Sequence, residues 1–167
     1  MMPRKITDYP APDGLRLRRA GLLDGPFLGE IMRDKDILDT SGARRPVARS
    51  WFQIWWWMKK TYEYLYCIEI ASTRIGFLGL YNLRSGEAGE VTLVIFPPPN
   101  RGRGYGKGAF ALFVGALRQR LPVNKIIARV KPDNLVSLSF WRSLGFEDVQ
   151  KDDGDMRVLS LDLKQRT

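Results

Sequence analysis

The chain has no histidine, and in 167 residues it has a single cysteine, Cys67. The first absence excludes Ser–His–Asp triads and histidine-ligated metals. The second excludes an internal disulfide and a thiolate zinc cluster, so no metal is expected. Proton transfer therefore falls to carboxylates, tyrosine, serine, lysine or water. No apolar run approaches the roughly 18 residues that a membrane span needs. The N-terminus, Met1-Met2-Pro3-Arg4-Lys5-Ile6, lacks the apolar core of a secretion signal. Cytoplasm without a membrane partner is the resulting expectation. Acidic residues are scarce too: 18 Asp and Glu against 27 Lys and Arg leave a net charge of +9. That balance favours anionic partners, such as phosphorylated cofactors or nucleotides, and weighs against a polycationic substrate.

What is present reads as one domain over residues 1–167, with 1–13 a loosely ordered N-terminal segment. A hydrophobic share of 44% is enough for a core of its own. Leu15 to Arg19 alternates like a first strand. Asp24 is placed to cap a short helix that buries Phe27, Leu28, Ile31 and Met32. A second helix is predicted from Val47 to Lys60, then strands over Tyr64–Ile70 and Ile75–Leu83. An apolar strand up to Phe96, a helix from Ala109 to Leu121 and a strand over Lys125–Val130 form a β-α-β unit. A helix from Asn134 to Leu144 stops at Gly145, a natural C-terminal cap. Phe146–Val149 and Met156–Leu163 read as a closing hairpin.

The most informative stretch is Phe96-Pro97-Pro98-Pro99-Asn100-Arg101-Gly102-Arg103-Gly104-Tyr105-Gly106-Lys107-Gly108. A glycine-rich turn from strand to helix presents unpaired N–H groups at the positive end of the helix dipole, a seat for a pyrophosphate. Arg101, Arg103 and Lys107 add fixed positive charge. Gly104-x-Gly106-x-x-Ala109 also meets a loose dinucleotide fingerprint. Against that reading, the loop lies late in the chain, and Arg129, Val130 and Lys131 stand where an acidic residue would be needed. A nucleic-acid-binding module is a further alternative, but the positive residues are spread along the chain rather than gathered on one helix.

Arg101-x-x-Gly104-x-Gly106 resembles the Q/R-x-x-G-x-G/A signature of the GNAT N-acetyltransferases. Residues 130–146, in which Asn134 opens a helix that ends in Leu144-Gly145-Phe146, resemble that family's second motif. The two motifs are in the right order, with 28 residues from Gly106 to Asn134. Length and the Asn134-x-x-Ser137 spacing look most like the branch that acetylates ribosomal-protein N-termini, polyamines and aminosugars. The resemblance implies an α/β single-domain fold with a mixed, mostly antiparallel sheet of about seven strands and about four helices. It implies transfer of acetyl from acetyl-CoA to an amine in a ternary complex, on an aminosugar nucleotide, another small amine or a protein N-terminus. A homodimer is compatible with it, and so is a domain that binds acyl-CoA without catalysis.

Carried over residue by residue, backbone groups from Gly102 through Lys107 cradle the CoA pyrophosphate. Those of Val94, Ile95 and Phe96 meet the pantetheine arm and polarise the acetyl carbonyl. Asn134 contacts the cofactor, caps its helix, or does both. Glu90, eleven residues before Arg101, stands at the spacing of the catalytic Glu in histone-type members; otherwise it is a strand-end glutamate. Glu87, in the preceding turn, is a weaker candidate. Another common family Glu, five residues before the Asn, is replaced by Arg129. Where many members place a Tyr to protonate the CoA thiolate, this chain has Trp141, whose indole is far too weak an acid. Ser137, one turn earlier, takes the place of a serine proposed for that role in the ribosomal-protein branch. Trp141 is then left to pack against the core or the pantetheine channel. In the run Trp51–Met58, Trp51 and Trp55 share a helix face and either line an acceptor pocket or pack internally. Arg44, Arg45 and Arg49 just upstream meet an acceptor phosphate or form a solvated face.

Overall fold

The computed structural model describes residues 1–6, 14–41, 50–149 and 154–164. Arg44, Arg45 and Arg49 thus lie outside the described residues. The strands are β1 (Lys5–Ile6), β2 (Leu15–Arg19), β3 (Tyr64–Ile70), β4 (Thr73–Tyr81), β5 (Ala88–Ile95), β6 (Lys125–Val130), β7 (Glu147–Asp148) and β8 (Arg157–Asp162). The helices are α1 (Gly25–Arg33), α2 (Lys35–Ser41), α3 (Trp51–Thr61), α4 (Tyr105–Arg120) and α5 (Leu135–Ser143). The strands form one sheet in the order β1-β2-β3-β4-β5-β6-β8-β7. Every neighbouring pair is antiparallel except β5–β6, the parallel pair joined through α4. The mixed α/β sheet was legible in the sequence; the described residues add the short edge strand β1 and the helix α2 to it.

Alternation along the strands sends side chains to two cores. On one face Tyr66, Ile68, Leu78, Leu80 and Val91 pack with Leu112, Phe113 and Leu117 of α4. On the other, Leu65 and Phe77 pack with Leu28, Ile31, Ile54 and Met58 of α1 and α3. Helix α3 begins later than the apolar pattern suggests, because Ser50 caps it. Ser50 Oγ accepts from Gln53 N–H (3.3 Å), and Gln53 Oε1 accepts from Ser50 N–H (3.1 Å). Asn134 caps α5 by accepting Ser137 N–H (3.1 Å), and Gly145 follows the helix at φ +92°.

Asp24 differs from its expected role. It occupies the N-cap position of α1, but its side chain accepts no hydrogen bond from that helix. Its carboxylate instead accepts from Gly21 N–H (2.7 Å), twice from Arg18 (2.8 and 2.9 Å) and from Arg74 (2.7 Å). Arg18 continues to Glu69, which also accepts from Arg16. Burial alone pushes the Asp24 carboxyl up, but the bonds from Arg18 and Gly21 outweigh it and bring the pKa down to about 2. Two buried carboxylates and three arginines thereby fix the start of α1 to β2, β3 and β4.

Candidate active site

Proline residues end β5, and the chain then turns through Arg101–Gly104 into α4. Gly102 and Gly104 take φ of +73° and +80°, left-handed values that glycine adopts without strain. A Cβ on either would meet nothing within 4 Å, so their surface is open. The first helical bond of α4 runs from Gly108 N–H to Gly104 C=O (3.0 Å). The N–H groups of residues 102–107 have no partner among the described residues, and they converge at the positive end of a 16-residue helix. Arg103 and Lys107 are exposed beside them, whereas Tyr105 packs its ring against the core. A Cβ on Gly106 would come within 3.1 Å of the Phe140 ring, so Gly106 lets α4 start close against α5. This cradle fits a pyrophosphate in shape, in donor chemistry and in charge. Arg101 is engaged differently from the other cations: its Nε donates to Ile95 C=O (3.1 Å) and ties the loop to the end of β5.

Strands β5 and β6 pair only at Ala88↔Lys125, Gly89↔Ile126 and Glu90↔Ile127. Beyond Glu90 they part: β6 continues paired to β8, and β5 continues paired to β4. A gap opens between them, leading toward the cradle. Which backbone groups face that gap is set by the β4 register. Phe96 N–H donates to Ile75 C=O (2.8 Å), so by antiparallel alternation Val94 also turns its groups to β4. Leu93 and Ile95 then point theirs into the gap. Of the three residues expected to meet a pantetheine arm by backbone, Ile95 alone turns its groups to the gap, and its C=O accepts from Arg101. Leu93, which sequence reasoning did not name, is the other residue whose backbone faces the gap.

Glu90 sits at the apex of the gap, on the sheet face that carries α1 and α3, and only 8% of it is exposed. Arg129 donates to it through Nε (2.8 Å) and Nη2 (3.4 Å), and Asn82 through Nδ2 (3.1 Å). Burial by itself pushes the carboxyl up. The bonds from Arg129 and Asn82, the Arg129 charge and a bond from Tyr81 outweigh it, holding the group below its ordinary value and ionised at neutral pH. Burial, followed by the Glu90 charge, pushes the Tyr81 hydroxyl above its usual range, so that group stays protonated. A cavity of about 360 Å³, lined by Asn82, Arg84, Gly89, Glu90 and Ile127 among others, reaches the same carboxylate. Glu87 is a surface residue 3.5 Å from Arg84 and does not line this cavity.

The remaining predicted residues fall in three places. Asn134 caps α5 and also donates from Nδ2 to Thr40 C=O of α2 (3.3 Å), which uses one of its two amide hydrogens. Ser137 is half-buried, and its hydroxyl has no hydrogen bond among the described residues. Of the two places expected for Trp141, it takes the core: it is 4% exposed and packs among Phe110, Phe140 and Phe146 at centroid separations of 4.9–5.5 Å. Trp55 is likewise a core side chain on the α1–α3 side. Trp51 lies across Gly25 and Gly29 of α1, where a Cβ at Gly25 would meet its ring at 2.4 Å. Neither of these two tryptophans lines the cavity beside Glu90. Among the described residues no cluster of three or more metal-ligating side chains occurs, and no helix is long and apolar enough to cross a membrane.

A family model, the acetyltransferase (GNAT) domain, matches residues 15–147. Among curated proteins, an N-acetyltransferase 9-like protein of Nematostella vectensis is 36% identical over 62 residues, which cover 37% of this chain and 31% of that protein. The chain thus spans about a third of the length of this relative. Among solved structures, a domain from Methanocaldococcus jannaschii superposes with a TM-score of 0.77 at 18% identity, covering 89% of this chain and 97% of the other. Spermidine N-acetyltransferase from Vibrio cholerae, solved with CoA and spermine, gives 0.74 at 18% identity and coverage of 91% and 97%. RimL, a ribosomal alpha-N-protein acetyltransferase, gives 0.73 at 14% identity and coverage of 94% of each chain. At these identities the structures speak for the fold alone.

Proposed function

The chain belongs to the GNAT acetyltransferase family, and from that premise we propose that it transfers an acetyl group from acetyl-CoA to an amine held beside Glu90. The observation that carries this reading is the parting of β5 from β6 immediately after Glu90↔Ile127. A gap that the Leu93 and Ile95 N–H groups face opens there, with an anion cradle beyond its far end and the cavity beside Glu90 at its apex.

When bound, acetyl-CoA supplies an activated thioester carbonyl. The N–H groups of residues 102–107 hold its pyrophosphate, and the exposed Arg103 and Lys107 add charge. The Leu93 and Ile95 N–H groups face the gap, as donors to a carbonyl on which negative charge develops should. An attacking amine must first lose its ammonium proton. Glu90, kept ionised by Arg129 and Asn82, attracts the ammonium and takes that proton, directly or through one water. Ser137, with its hydroxyl unspent, is the donor to the departing thiolate. A thiol with a pKa near 8.5 leaves without full protonation, so this contribution is small.

The test is a calorimetric titration of acetyl-CoA, with NAD as control, on the wild type and on Glu90→Gln, followed by an amine screen. Micromolar binding of acetyl-CoA alone by both proteins is expected, with kcat of the variant lowered by about 10²–10⁴-fold. No binding by a folded sample up to millimolar acetyl-CoA would overturn the reading. Binding with full turnover by Glu90→Gln would remove Glu90 from it.

A further inference from the structure

We infer that Asn82 belongs to the acceptor site: its Nδ2 positions Glu90, and its Oδ1 receives a hydrogen of the ammonium that Glu90 deprotonates. This rests on the acetyl transfer proposed above. Asn82 is turned to the opposite sheet face from the one its place in sequence dictates. Tyr81 and Glu90 are direct partners across β4 and β5, so they share the face that carries α1 and α3. Extended backbone would send the next side chain, Asn82, to the α4 face. Asn82 instead takes φ +48°. This left-handed step brings its amide back to Glu90, where Nδ2 donates to Oε1 at 3.1 Å. Asparagine is one of the few residues besides glycine that visit this conformation.

The turn does not need that amide to hold its shape. Leu83 N–H donates to Glu63 Oε1 (3.3 Å), Arg84 N–H to Ala88 C=O (2.8 Å) and Glu87 N–H to Arg84 C=O (3.0 Å). Nor is the amide spent. Asn82 makes no second side-chain bond among the described residues, so one Nδ2 hydrogen and the lone pairs of Oδ1 are unused. It is exposed, and it lines the same cavity as the buried Glu90. The planar amide sets Oδ1 roughly 4–5 Å from Glu90 Oε1. One tetrahedral ammonium, with bonds of about 2.8 Å, spans two acceptors about 4.5 Å apart. The ammonium thus gives one hydrogen to Glu90 as a proton and keeps a second on Oδ1. The amine left behind is neutral, with its lone pair where that proton was. The retained bond to Oδ1 is the pivot on which it turns the pair toward the thioester carbon. A neutral oxygen suits this role, because a second carboxylate would hold the amine charged.

Spermidine, glucosamine and glycylglycine serve as probes, each with saturating acetyl-CoA, on the wild type, Asn82→Gly and Asn82→Asp, from about pH 4 to about pH 9. Glycine takes positive φ without strain, so Asn82→Gly is expected to keep the wild-type urea midpoint and acetyl-CoA affinity. Its kcat/KM for the preferred amine is expected to fall roughly 10–100-fold, since bonds to charged groups are the ones lost. Burial pushes the Glu90 carboxyl up, while Arg129, Asn82 and Tyr81 hold it down. Arg129 on β6 and Tyr81 on β4, the other groups that face it, remain in both variants. With the Asn82 bond gone, the Glu90 pKa rises, and the acid limb of kcat/KM moves to higher pH. Asn82→Asp sets a second negative charge beside Glu90 and moves that limb further. Full kcat/KM in Asn82→Gly, an acid limb that stays in place, or activity lost only in step with the urea midpoint would overturn the inference. Turnover of none of the three amines by a protein that binds acetyl-CoA would overturn it as well. Failure of the wild type to bind acetyl-CoA, or full turnover by Glu90→Gln, would instead remove the reading on which it stands.

Discussion

Replacing Gly76 by alanine tests whether the geometry of β5 is as described. Gly76 lies on β4 opposite Ile95, at φ +153°, a backbone setting that L side chains rarely adopt. A Cβ there would stand 2.0 Å from Val94 C=O oxygen, 3.0 Å from its carbon and 3.1 Å from Ile95 Cα. All three are backbone atoms, so no side chain can swing aside and the strand itself must shift. Positive-φ strain costs about 1–3 kcal/mol and overpacking about 1–3 kcal/mol more, giving about 2–6 kcal/mol for Gly76→Ala. Gly86 supplies the control. It has φ +78° with nothing within 4 Å of a Cβ, so Gly86→Ala costs about 1–2 kcal/mol of strain alone. Urea unfolding at constant m-value separates the two. The strand that moves in Gly76→Ala is the one whose Leu93 and Ile95 face the gap, so acetyl-CoA binding is expected to weaken with stability. Unfolding free energies of the two variants that differ by less than about 1 kcal/mol, below the smallest added overpacking cost, would refute the Gly76–Val94 contact and the register built on it.

Two further substitutions address the loop and the ion network. Gly104→Ala places a methyl in open space, so it costs about 1–2 kcal/mol of left-handed strain; by disturbing the cradle it weakens acetyl-CoA binding roughly 10–100-fold, read by calorimetry. Asp24 has a folded pKa of about 2 against an ordinary 3.8, a depressed value. Its contribution is therefore complete above about pH 4 and is lost as pH falls toward 2. Asp24→Asn is expected to lower stability at neutral pH by about 2 kcal/mol and to flatten the acid limb of the urea midpoint against pH. A wild-type midpoint flat between pH 5 and 2 would contradict the assignment.

The parts of the fold that were legible in the sequence are those set by local chemistry. Asn134 and Gly145 bracket α5 because an Asn side chain satisfies a first-turn N–H and a glycine takes positive φ after the last turn. Two local signals were present and passed over. Ser50 and Gln53 make a capping box that starts α3 at Trp51. Asp34 Oδ1 accepts from Ile37 N–H (3.1 Å) at the start of α2, a helix otherwise poor in strong helix formers. Other features depend on partners far away in sequence. Whether Leu93 or Val94 faces the gap is decided by register with β4. Whether Trp141 lines a channel or fills a core is decided by Phe110 and Phe146. The Asp24 carboxylate was read as a cap because Arg18 and Arg74 reach it only once β2, β3 and β4 are side by side.

Glu90 is the clearest case of chemistry that neither level contains alone. Its distance along the chain from Arg101 made it a candidate base, and Arg129 registered only as a lost glutamate. The parallel β5–β6 pair makes these two observations one, setting a carboxylate and a guanidinium side by side across 39 residues of sequence. It does so at the last position where β5 has neighbours on both edges. A charge at such a position is held rigidly, while the next residues, freed on one edge, still have backbone groups to offer a ligand. One residue earlier the carboxylate would turn to the α4 face, and one residue later it would do the same, because the side-chain period of a strand is two. The acid, the gap and the arginine are thus tied to a single register. A shift of β5 by one residue would lose the Glu90–Arg129 pair from this face, whereas a change in the cradle at Gly104 would spare it.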